Sequence, residues 1–309
     1  MSSVSCMTTQ ILPVAMCVDK NILPGLHITL FSTLLHLRKD VHLKVHLYTD
    51  SLNSKDVERL SATCDVANHS YSIEVHRLDL SAFRNLPWHG GWMTYGRIIF
   101  PDQASEDRLC FLDADLLVYA DLSELLVEDL RGCVIGAASW GSIRQSNDSA
   151  FFHRHGFSLD KPYFNAGVLL IDTSAWKKEK ITRACFEAIA RFGNVLPTMD
   201  QTILNLVFYG NFHQIPRRFN TPVTASRSPL PSADLINRVI HLVAHPKPWE
   251  FLGFLNGQFC HYRRLARMIA STLPSHKQPL YRKIRYFRGY LKCFPNLVRL
   301  LAERREKFE

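Results

Sequence analysis

Strand-like and helix-like apolar patterns alternate along the first 80 residues, and this alternation restricts the fold more than any other feature of the sequence. The short apolar run 11–17 and the alternating segments 41–48 and 73–80 are typical of strands. Between them, segment 25–37 has leucines at helical spacing, and segment 55–62 is also predicted to be helical. This β-α-β-α-β order predicts an α/β fold with a mostly parallel, doubly wound sheet and helices on its faces.

The loops that follow Cys17 and Leu112 are the expected positions for functional side chains, because ligands of such sheets bind beyond the carboxyl ends of the strands. The second loop carries Asp113 and Asp115 directly after the buried-strand pattern 108–112. Two carboxylates at this spacing can converge on a hard divalent cation such as Mn²⁺ or Mg²⁺. A solvated pair of aspartates in a turn is the alternative. Apolar residues on both sides favour the metal, because carboxylates buried beside a core strand need compensation.

Further polar side chains stand at the edges of later apolar patterns. The strand pattern 163–172 has Asn165 near its start, and a single helix is predicted over 174–192. The next helix begins at about Met199 and carries Asp200 and Gln201 in its first turn. For Asp200, a role as helix cap only is the alternative to a role in a site.

The apolar run 239–244 contains His241, and Lys247 follows in a turn stiffened by prolines. A histidine in an apolar strand is commonly a core residue. The other interpretation is that His241 completes a metal site with the aspartate pair, beside a lysine that binds phosphate. Spacing along the chain leaves both interpretations open.

In their order and spacing, these motifs resemble glycosyltransferase family 8, which includes bacterial lipopolysaccharide galactosyl- and glucosyltransferases. The similarity covers roughly residues 10–255. Its landmarks are Val18-Asp-Lys-Asn21, Thr94-Tyr-Gly-Arg97 with Pro101, Phe111-Leu-Asp-Ala-Asp115, Phe164-Asn-Ala-Gly167, Asp200-Gln201 with Asn205, and His241 with Lys247-Pro-Trp249.

The resemblance implies a GT-A catalytic domain over residues 1–260, with a Rossmann-like, mostly parallel mixed sheet flanked by helices. It also implies transfer of a hexose from a UDP-sugar with retention of configuration, and a Mn²⁺ or Mg²⁺ ion that bridges the diphosphate. By position, it implies that the metal ligands are Asp113, Asp115 and His241.

The same resemblance assigns the other site residues. The uridine and diphosphate would be held by Asp19, Asn21, the backbone of Ala114, and Lys247. The donor sugar would be lined by Arg97, Asn165, Asp200 and Gln201. Retention ordinarily requires a carboxylate nucleophile near the anomeric carbon, but the family offers only an amide there. The resemblance therefore implies a same-face internal return of the acceptor, with Gln201 supporting the developing positive charge and Asp200 as the other candidate.

The net charge of +9 is concentrated at the carboxyl end of the chain. Residues 261–309 carry a net charge of +10 and residues 1–260 carry −1. In this tail an apolar stripe recurs at helical spacing, at Leu280, Ile284, Phe287, Leu291 and Phe294. A basic amphipathic helix with interleaved tyrosines predicts binding to an anionic membrane surface. The alternative is a terminal helix packed on the body with a solvated basic face. We expect no nucleic-acid partner, because no recognised binding module accompanies the charge.

Composition excludes several classes of protein. A chain that is 47% hydrophobic and 21% charged is neither disordered nor collagen-like. It has no uncharged apolar run of the roughly 18 residues that a membrane-spanning helix needs, and its first ten residues lack the basic segment of a secretory signal. The eight cysteines include no C-x-x-C pair, which predicts reduced thiols in the cytoplasm.

Together these features predict a retaining hexosyltransferase at the inner face of the cytoplasmic membrane. Its donor would be UDP-galactose or UDP-glucose, and its acceptor a glycan or glycolipid of the lipopolysaccharide type. Deletion of residues 276–309 is expected to abolish membrane binding and to spare hydrolysis of the UDP-sugar. Two other interpretations remain open: a soluble family member that acts on a polyol or a protein, and a non-catalytic relative that binds glycans.

Overall fold

Ten strands form two sheets in the part of the chain that the computed structural model describes, residues 10–86, 91–275 and 278–305. The strands are β1 (Gln10–Cys17), β2 (Val41–Thr49), β3 (Tyr71–Arg77), β4 (Arg108–Leu112), β5 (Leu116–Val118), β6 (Ile135–Ser142), β7 (Pro162–Asp172), β8 (His213–Gln214), β9 (Thr221–Thr224) and β10 (Val239–Val243). The large sheet has the order β3-β2-β1-β4-β7-β6-β8, and the small one has the order β5-β10-β9.

Twelve α-helices accompany these strands in the described ranges. They are α1 (Leu23–His36), α2 (Ser54–Asp65), α3 (Gly96–Gln103), α4 (Ser149–Arg154), α5 (Thr173–Lys178), α6 (Ile181–Phe192), α7 (Asp200–Phe208), α8 (Ser232–Leu235), α9 (Phe259–Met268), α10 (Leu280–Arg285), α11 (Phe287–Lys292) and α12 (Phe294–Arg305). Short 3₁₀ helices connect several of them.

The large sheet is mixed but mostly parallel, which confirms the predicted α/β architecture. Strands β1, β2, β3 and β4 run parallel to one another, whereas β7 is antiparallel to both β4 and β6. One hydrophobic cluster packs α1 and α2 against one face of the sheet, and a second packs α3, α6 and α7 against the other. Most of α1 is buried, because the small sheet covers its outer side through β5.

The prediction of one helix over 174–192 is wrong. The chain breaks between α5 and α6, where Lys180 adopts a φ of +56°. The break allows Trp176 to be fully buried while its indole N–H donates to Oγ1 of Thr182 at 2.9 Å. The free energy gained by burying the large indole ring outweighs the free energy lost by interrupting the helix.

The basic tail is helical, but it forms three short helices in place of one continuous amphipathic helix. The predicted stripe faces solvent: Leu280, Ile284 and Phe287 are 69%, 67% and 56% exposed. The other side of the tail, including Tyr290 and Cys293, is buried against the body. The tail therefore packs on the body and still presents an apolar surface. Residues 276, 277 and 306–309 lie outside the described residues.

No disulfide links the seven cysteines of the described residues, which are Cys17, Cys64, Cys110, Cys133, Cys185, Cys260 and Cys293. Burial raises the pKa of both Cys64 and Cys110 to about 12, so these thiols are neutral core residues. Cys6 lies outside the described residues. None of the described helices is both long and apolar enough to cross a lipid bilayer.

Candidate active site

The candidate site lies where the order of the large sheet changes direction, between β1 and β4. The chain passes from β1 to β2 on one side, whereas β4 pairs with β1 on the other. Both parallel strands therefore open into the same crevice at their carboxyl ends. As predicted, Asp19 follows β1 and Asp113 follows β4, and both line this cleft of about 290 Å³.

Asp113 and Asp115 line this cleft and form a cluster of possible metal ligands with the buried His241. The Nε2 atom of His241 lies 3.2 Å from Oδ1 of Asp115 and 3.7 Å from Oδ2 of Asp113. Antiparallel pairing of β10 with β5 places His241 opposite Leu116, the residue after Asp115. The small sheet therefore brings His241 next to the aspartate pair. The spacing along the chain had left this contact open.

Two amide side chains fix the orientation of the His241 ring. Its Nδ1 atom lies 2.9 Å from Oδ1 of Asn165 and 3.1 Å from Oδ1 of Asn220, and both oxygens are acceptors. In the neutral ring, Nδ1 therefore carries the proton and Nε2 presents a lone pair to Asp115. Oδ1 of Asp115 is buried and accepts no hydrogen bond from the described residues. Two facing acceptors require a positive charge between them, so the cluster fits a divalent cation.

Two glycines make room for this arrangement. A Cβ atom on Gly167 would lie 2.2 Å from Cε1 of His241, so a side chain at this position would displace the imidazole ring. A Cβ atom on Gly25 would lie 2.2 Å from the carbonyl oxygen of Ala114. The absence of both side chains allows β7 and α1 to approach the ligand cluster closely.

Lys247 contacts the ligand cluster from the turn after β10. Its Nζ donates to Oδ2 of Asp115 at 2.7 Å and to the carbonyl oxygen of Leu242. Burial by itself would raise the pKa of Asp115. The ammonium group of Lys247, which donates to this carboxylate, outweighs that effect and holds the pKa well below its ordinary value. Asp115 is therefore an ionised carboxylate in the cleft.

Arg97 is buried and links two carboxylates of the site. Its Nη2 lies 2.6 Å from Oδ1 of Asp113, and its Nε lies 2.8 Å from Oδ2 of Asp200. Thr94 donates to the other oxygen of Asp200. Burial raises the pKa of Asp200 to about 6, although Arg97 and Thr94 act in the opposite direction. Asp200 thus has a partner in the site and is more than a helix cap.

Gln201 and Asn165 lie in an adjoining cavity of about 200 Å³ and do not line the aspartate cleft itself. The Nδ2 atom of Asn165 donates to Oε1 of Gln201 at 2.9 Å, and Nε2 of Gln201 donates to the hydroxyl of Tyr163 at 3.0 Å. Asn165 also contacts His241, as described above. The structure therefore connects both amides to the ligand cluster through hydrogen bonds.

Asp19 and Asn21, which also line the cleft, form a small hydrogen-bonded turn. The backbone N–H and the Nδ2 of Asn21 each donate to an oxygen of Asp19 at 2.8 Å. Ile22, Ala114 and Trp249 line the same cleft. The residues predicted to bind the uridine and ribose therefore line the cleft together with the two aspartates of the ligand cluster.

Sequence analysis missed three residues of this region. Asn220 orients His241 but belongs to no motif, and nothing in the sequence around it could have identified it. Arg282 and Tyr286 line the cleft from α10 and the residue after it. The sequence signal for these two residues is the alternation of tyrosines with basic residues in the tail. By itself this alternation predicts only an exposed surface that binds a membrane.

A second group of possible metal ligands lies at the edge of the large sheet. His46, Glu74 and His76 are close enough to share an ion. However, Nζ of Lys44 lies 3.3 Å from Glu74 and 2.7 Å from Glu106, which itself contacts His46 at 3.1 Å. An internal cation thus already balances these carboxylates, and the group is an ion-pair network beside β3.

The chain is similar in sequence and in fold to several known proteins. Residues 13–253 match the model of Glycosyl transferase family 8. A lipopolysaccharide 1,3-galactosyltransferase of Salmonella typhimurium is 27% identical over 78% of this chain and 73% of its own length. A lipopolysaccharide 1,2-glucosyltransferase of Escherichia coli K12 is 27% identical over 79% of this chain and 74% of its own. Among solved structures, the galactosyltransferase LgtC in complex with donor and acceptor sugar analogs superimposes on this chain with a TM-score of 0.69 at 22% sequence identity. The match covers 87% of this chain and 98% of the LgtC chain. This likeness confirms the predicted GT-A fold.

Proposed function

The chain belongs to glycosyl transferase family 8, and we propose that it transfers galactose or glucose from a UDP-sugar to a lipopolysaccharide-type glycan or glycolipid, with retention of configuration. The observation that carries this proposal is the cluster of Asp113, Asp115 and the buried His241, in which both aspartates line the cleft at the strand ends beside Lys247. Similarity to lipopolysaccharide galactosyl- and glucosyltransferases supports the classes of sugar and acceptor.

In this proposal Asp113, Asp115 and His241 hold Mn²⁺ or Mg²⁺. The ion supplies Lewis-acid neutralisation of the charge that develops on the departing diphosphate. Asn165 and Asn220 keep the lone pair of Nε2 directed into the cluster, so the imidazole needs no reorientation when the cation binds. The same ligand set is also consistent with Mg²⁺, and the preference for Mn²⁺ rests on the family resemblance.

Lys247 would hold the diphosphate. Its ammonium group is paired with Asp115 at 2.7 Å. An ammonium group has three N–H donors, so Lys247 would be able to donate to a phosphate oxygen in addition to Asp115 and the carbonyl oxygen of Leu242. Asp19 and Asn21 would contact the uridine, and the backbone of Ala114 would lie near the ribose. All four residues line the same cleft, which supports this division of roles.

On the sugar side, Arg97 lines the cleft, and its buried ion pair with Asp200 holds the guanidinium group in position. Gln201 lies in the adjoining cavity and would support positive charge at the anomeric carbon, while Asn165 donates to Oε1 of Gln201 and would hold that amide in place. The carboxylate of Asp200 is held by Arg97 and Thr94 and is not a free nucleophile. We therefore favour a same-face internal return of the acceptor over a covalent intermediate.

We propose that residues 1–260 form the catalytic domain and that residues 261–309 form a tail that binds the inner face of the cytoplasmic membrane. The exposed apolar stripe of the tail is the supporting observation. A groove of about 530 Å³ between α9 and α12 adds apolar side chains together with Arg263, Arg264 and Arg267. Apolar side chains at the headgroup boundary and arginines facing anionic lipids both favour such binding.

Replacement of Ile284 and Phe287 by serine in the full chain is expected to lower binding to anionic vesicles at least tenfold. Both side chains are more than half exposed, so their loss costs little folding energy but removes the surface that would enter the lipid. Sedimentation with phosphatidylglycerol vesicles measures the effect. The control is the same change at Val127 and Ile236, which are exposed on the body and should have no influence. Equal sedimentation of the tail variant and the unmodified protein would show that the stripe is not the membrane contact.

The donor site is tested by calorimetric titration of UDP into the full protein, with Mn²⁺ and then with EDTA. We expect binding only with the metal. Incubation with UDP-galactose, UDP-glucose and a lipopolysaccharide acceptor should then give transfer. Binding of UDP without turnover on any acceptor would favour a non-catalytic relative. Turnover on a soluble polyol or protein, with no vesicle binding, would favour a soluble family member. Absence of UDP binding in both conditions would contradict the proposed function.

A further inference from the structure

One fully buried carboxylate outside the aspartate cleft has no part in the function proposed above. Asp148 is 0% exposed and lies directly before α4, but its side chain does not cap that helix. We propose that Asp148 is a positioning residue for the imidazole of His241, on which it acts through a relay of three side chains: Tyr163, Gln201 and Asn165. This inference rests on the proposed function, since His241 is a ligand of the proposed metal site.

The carboxylate of Asp148 accepts hydrogen bonds from two hydroxyl groups. The hydroxyl of Tyr163 donates to its Oδ2 at 2.6 Å. The hydroxyl of Thr198 donates to the same oxygen at 2.8 Å and lies 3.0 Å from Oδ1. Burial and the neighbouring carboxylate raise the pKa of Tyr163 well above its ordinary value, so Tyr163 keeps its proton. An ionised carboxylate has no donor, so the tyrosine proton points at Asp148.

The direction of this first bond decides which end of Gln201 faces Tyr163. The tyrosine oxygen has used its single proton and offers only lone pairs, and Nε2 of Gln201 donates to it at 3.0 Å. Oε1 of Gln201 then faces β7, where it accepts from Nδ2 of Asn165 at 2.9 Å and from the backbone N–H of Ala166 at 3.2 Å. The amide of Gln201 therefore satisfies all three contacts in one orientation only.

Asn165 transmits the same direction to His241. Because its Nδ2 faces Gln201, its Oδ1 is free to accept from the backbone N–H of Gly167 at 3.0 Å and from Nδ2 of Asn220 at 2.9 Å. The same oxygen lies 2.9 Å from Nδ1 of His241, which therefore carries a proton. In the neutral ring the lone pair is then on Nε2, as a metal ligand requires. If every bond of the relay were reversed, a proton would occupy Nε2 and compete with the cation.

Helix α7 and strand β7 hold the relay in place through contacts of their own. The side chain of Asn205 accepts from the backbone N–H of Phe164 and donates to its carbonyl oxygen, both at 3.0 Å. Its Nδ2 also donates to the carbonyl oxygen of Gln201 at 2.9 Å. Before α7, the backbone N–H of Thr198 donates to Oγ1 of the buried Thr202 at 3.0 Å. The backbone around the relay is therefore fixed by contacts that do not involve the buried carboxylate.

The relay is tested in the full protein by Tyr163→Phe, which removes the hydroxyl and keeps the ring. We expect the Kd for Mn²⁺ in the presence of UDP, measured by calorimetry, to rise roughly three- to tenfold. This is less than the roughly 10- to 100-fold typical of a group that contacts a metal-ligating histidine directly, because the effect passes through two amides. The control is Tyr209→Phe, which removes a hydroxyl that donates to the carbonyl oxygen of Ser158 at 3.1 Å and should not change the Kd.

Nitrogen-15 spectra of the His241 ring provide a measurement that does not depend on metal or activity. They are recorded on metal-free protein, at a pH where the imidazole is neutral. The proton should be on Nδ1 in the unmodified protein and in Tyr209→Phe. In Tyr163→Phe it should be divided between the two nitrogens, because Gln201 has lost the acceptor that fixes its orientation.

Replacement of Asp148 itself shows whether its role is to accept the tyrosine proton. Asp148→Leu has no acceptor and should behave like Tyr163→Phe in both measurements. Asp148→Asn keeps one oxygen for the tyrosine proton and should recover most of the Mn²⁺ affinity that Asp148→Leu loses. The double variant Asp148→Leu/Tyr163→Phe should bind Mn²⁺ no more weakly than either single variant, because both changes break the same bond.

The outcomes separate this inference from the proposed function. If the unmodified protein binds Mn²⁺ and UDP, and Tyr163→Phe and Asp148→Leu bind them as tightly with the proton on Nδ1, the inference is wrong and the proposed function stands. If both variants bind weakly and melt at a clearly lower temperature while the proton stays on Nδ1, the two residues have only a structural role and the inference is again wrong. If the unmodified protein binds neither Mn²⁺ nor UDP, the proposed function fails and the inference fails with it.

Discussion

Replacement of Asp115 by asparagine is expected to abolish metal-dependent binding of UDP and to lower kcat/KM for transfer by about 10³-fold or more. Asp115 is the residue of the ligand cluster that faces both the lone pair of His241 and the ammonium group of Lys247. An asparagine has nearly the same shape but lacks the negative charge that attracts a divalent cation. The measurement is titration of Mn²⁺ and UDP by calorimetry, followed by a transfer assay.

The same change leaves Lys247 buried without its carboxylate partner, so it could also destabilise the fold. The double variant Asp115→Asn/Lys247→Met removes both charges and separates the two effects, because it should fold normally and still fail to bind the metal. Asp50→Asn is the control, since Asp50 is exposed and lies outside the cleft. Retention of Mn²⁺-dependent transfer in the single variant would rule out the metal assignment.

The Arg97→Met variant is expected to lose roughly 3–5 kcal/mol of unfolding free energy, because it leaves Asp200 and part of Asp113 buried without their cation. Arg97 is almost fully buried and also donates to the carbonyl oxygen of Ala166 at 2.6 Å. Urea denaturation measures the loss. The control is Arg183→Met, which breaks an exposed ion pair with Glu187 and should change stability by no more than about 0.5 kcal/mol.

The deficit of Arg97→Met should also depend on pH in a direction that can be stated in advance. The pKa of Asp200 is about 6 in the folded protein and therefore lies above its ordinary value of 3.8. A raised carboxyl pKa contributes stability below pH 4, and this contribution is lost as the pH rises through the folded pKa. Removal of Arg97 raises the pKa of Asp200 further, so the variant continues to lose unfolding free energy as the pH rises above 6. The deficit should therefore be larger at pH 8 than at pH 5, and Asp200→Asn in the same chain should reduce it. A deficit that is equal at both pH values would contradict the role given to Asp200.

Local patterns in the sequence were sufficient to predict the first three strands and the two helices between them. The alternation of apolar residues in β2 and the leucine spacing in α1 arise from contacts between near neighbours on the chain, so a short window contains the information. The same holds for Asp113 and Asp115, whose place at the end of β4 follows from the strand before them. The resemblance to a family then supplied roles for residues that no local pattern could connect.

Local patterns failed where packing over long distances decided the conformation. The helix predicted over 174–192 is broken because Trp176 is buried beside Thr182, and the sequence does not show what surrounds either residue. In the tail, the periodic stripe was predicted correctly as an apolar surface. The opposite side was not predicted, because its partners in the loop after β10 are distant along the chain.

By itself, therefore, the sequence determined the α/β class, the order of the elements, the aspartate pair and the uneven distribution of charge. Only the tertiary structure decided that His241 meets Asp115, because that contact depends on the pairing of β5 with β10. It alone placed Asn220 against the imidazole and Arg282 at the wall of the cleft. The physical reason is the same in each case. Secondary structure depends on residues a few positions apart, whereas a site depends on where distant segments pack, and that is set by the whole hydrophobic core.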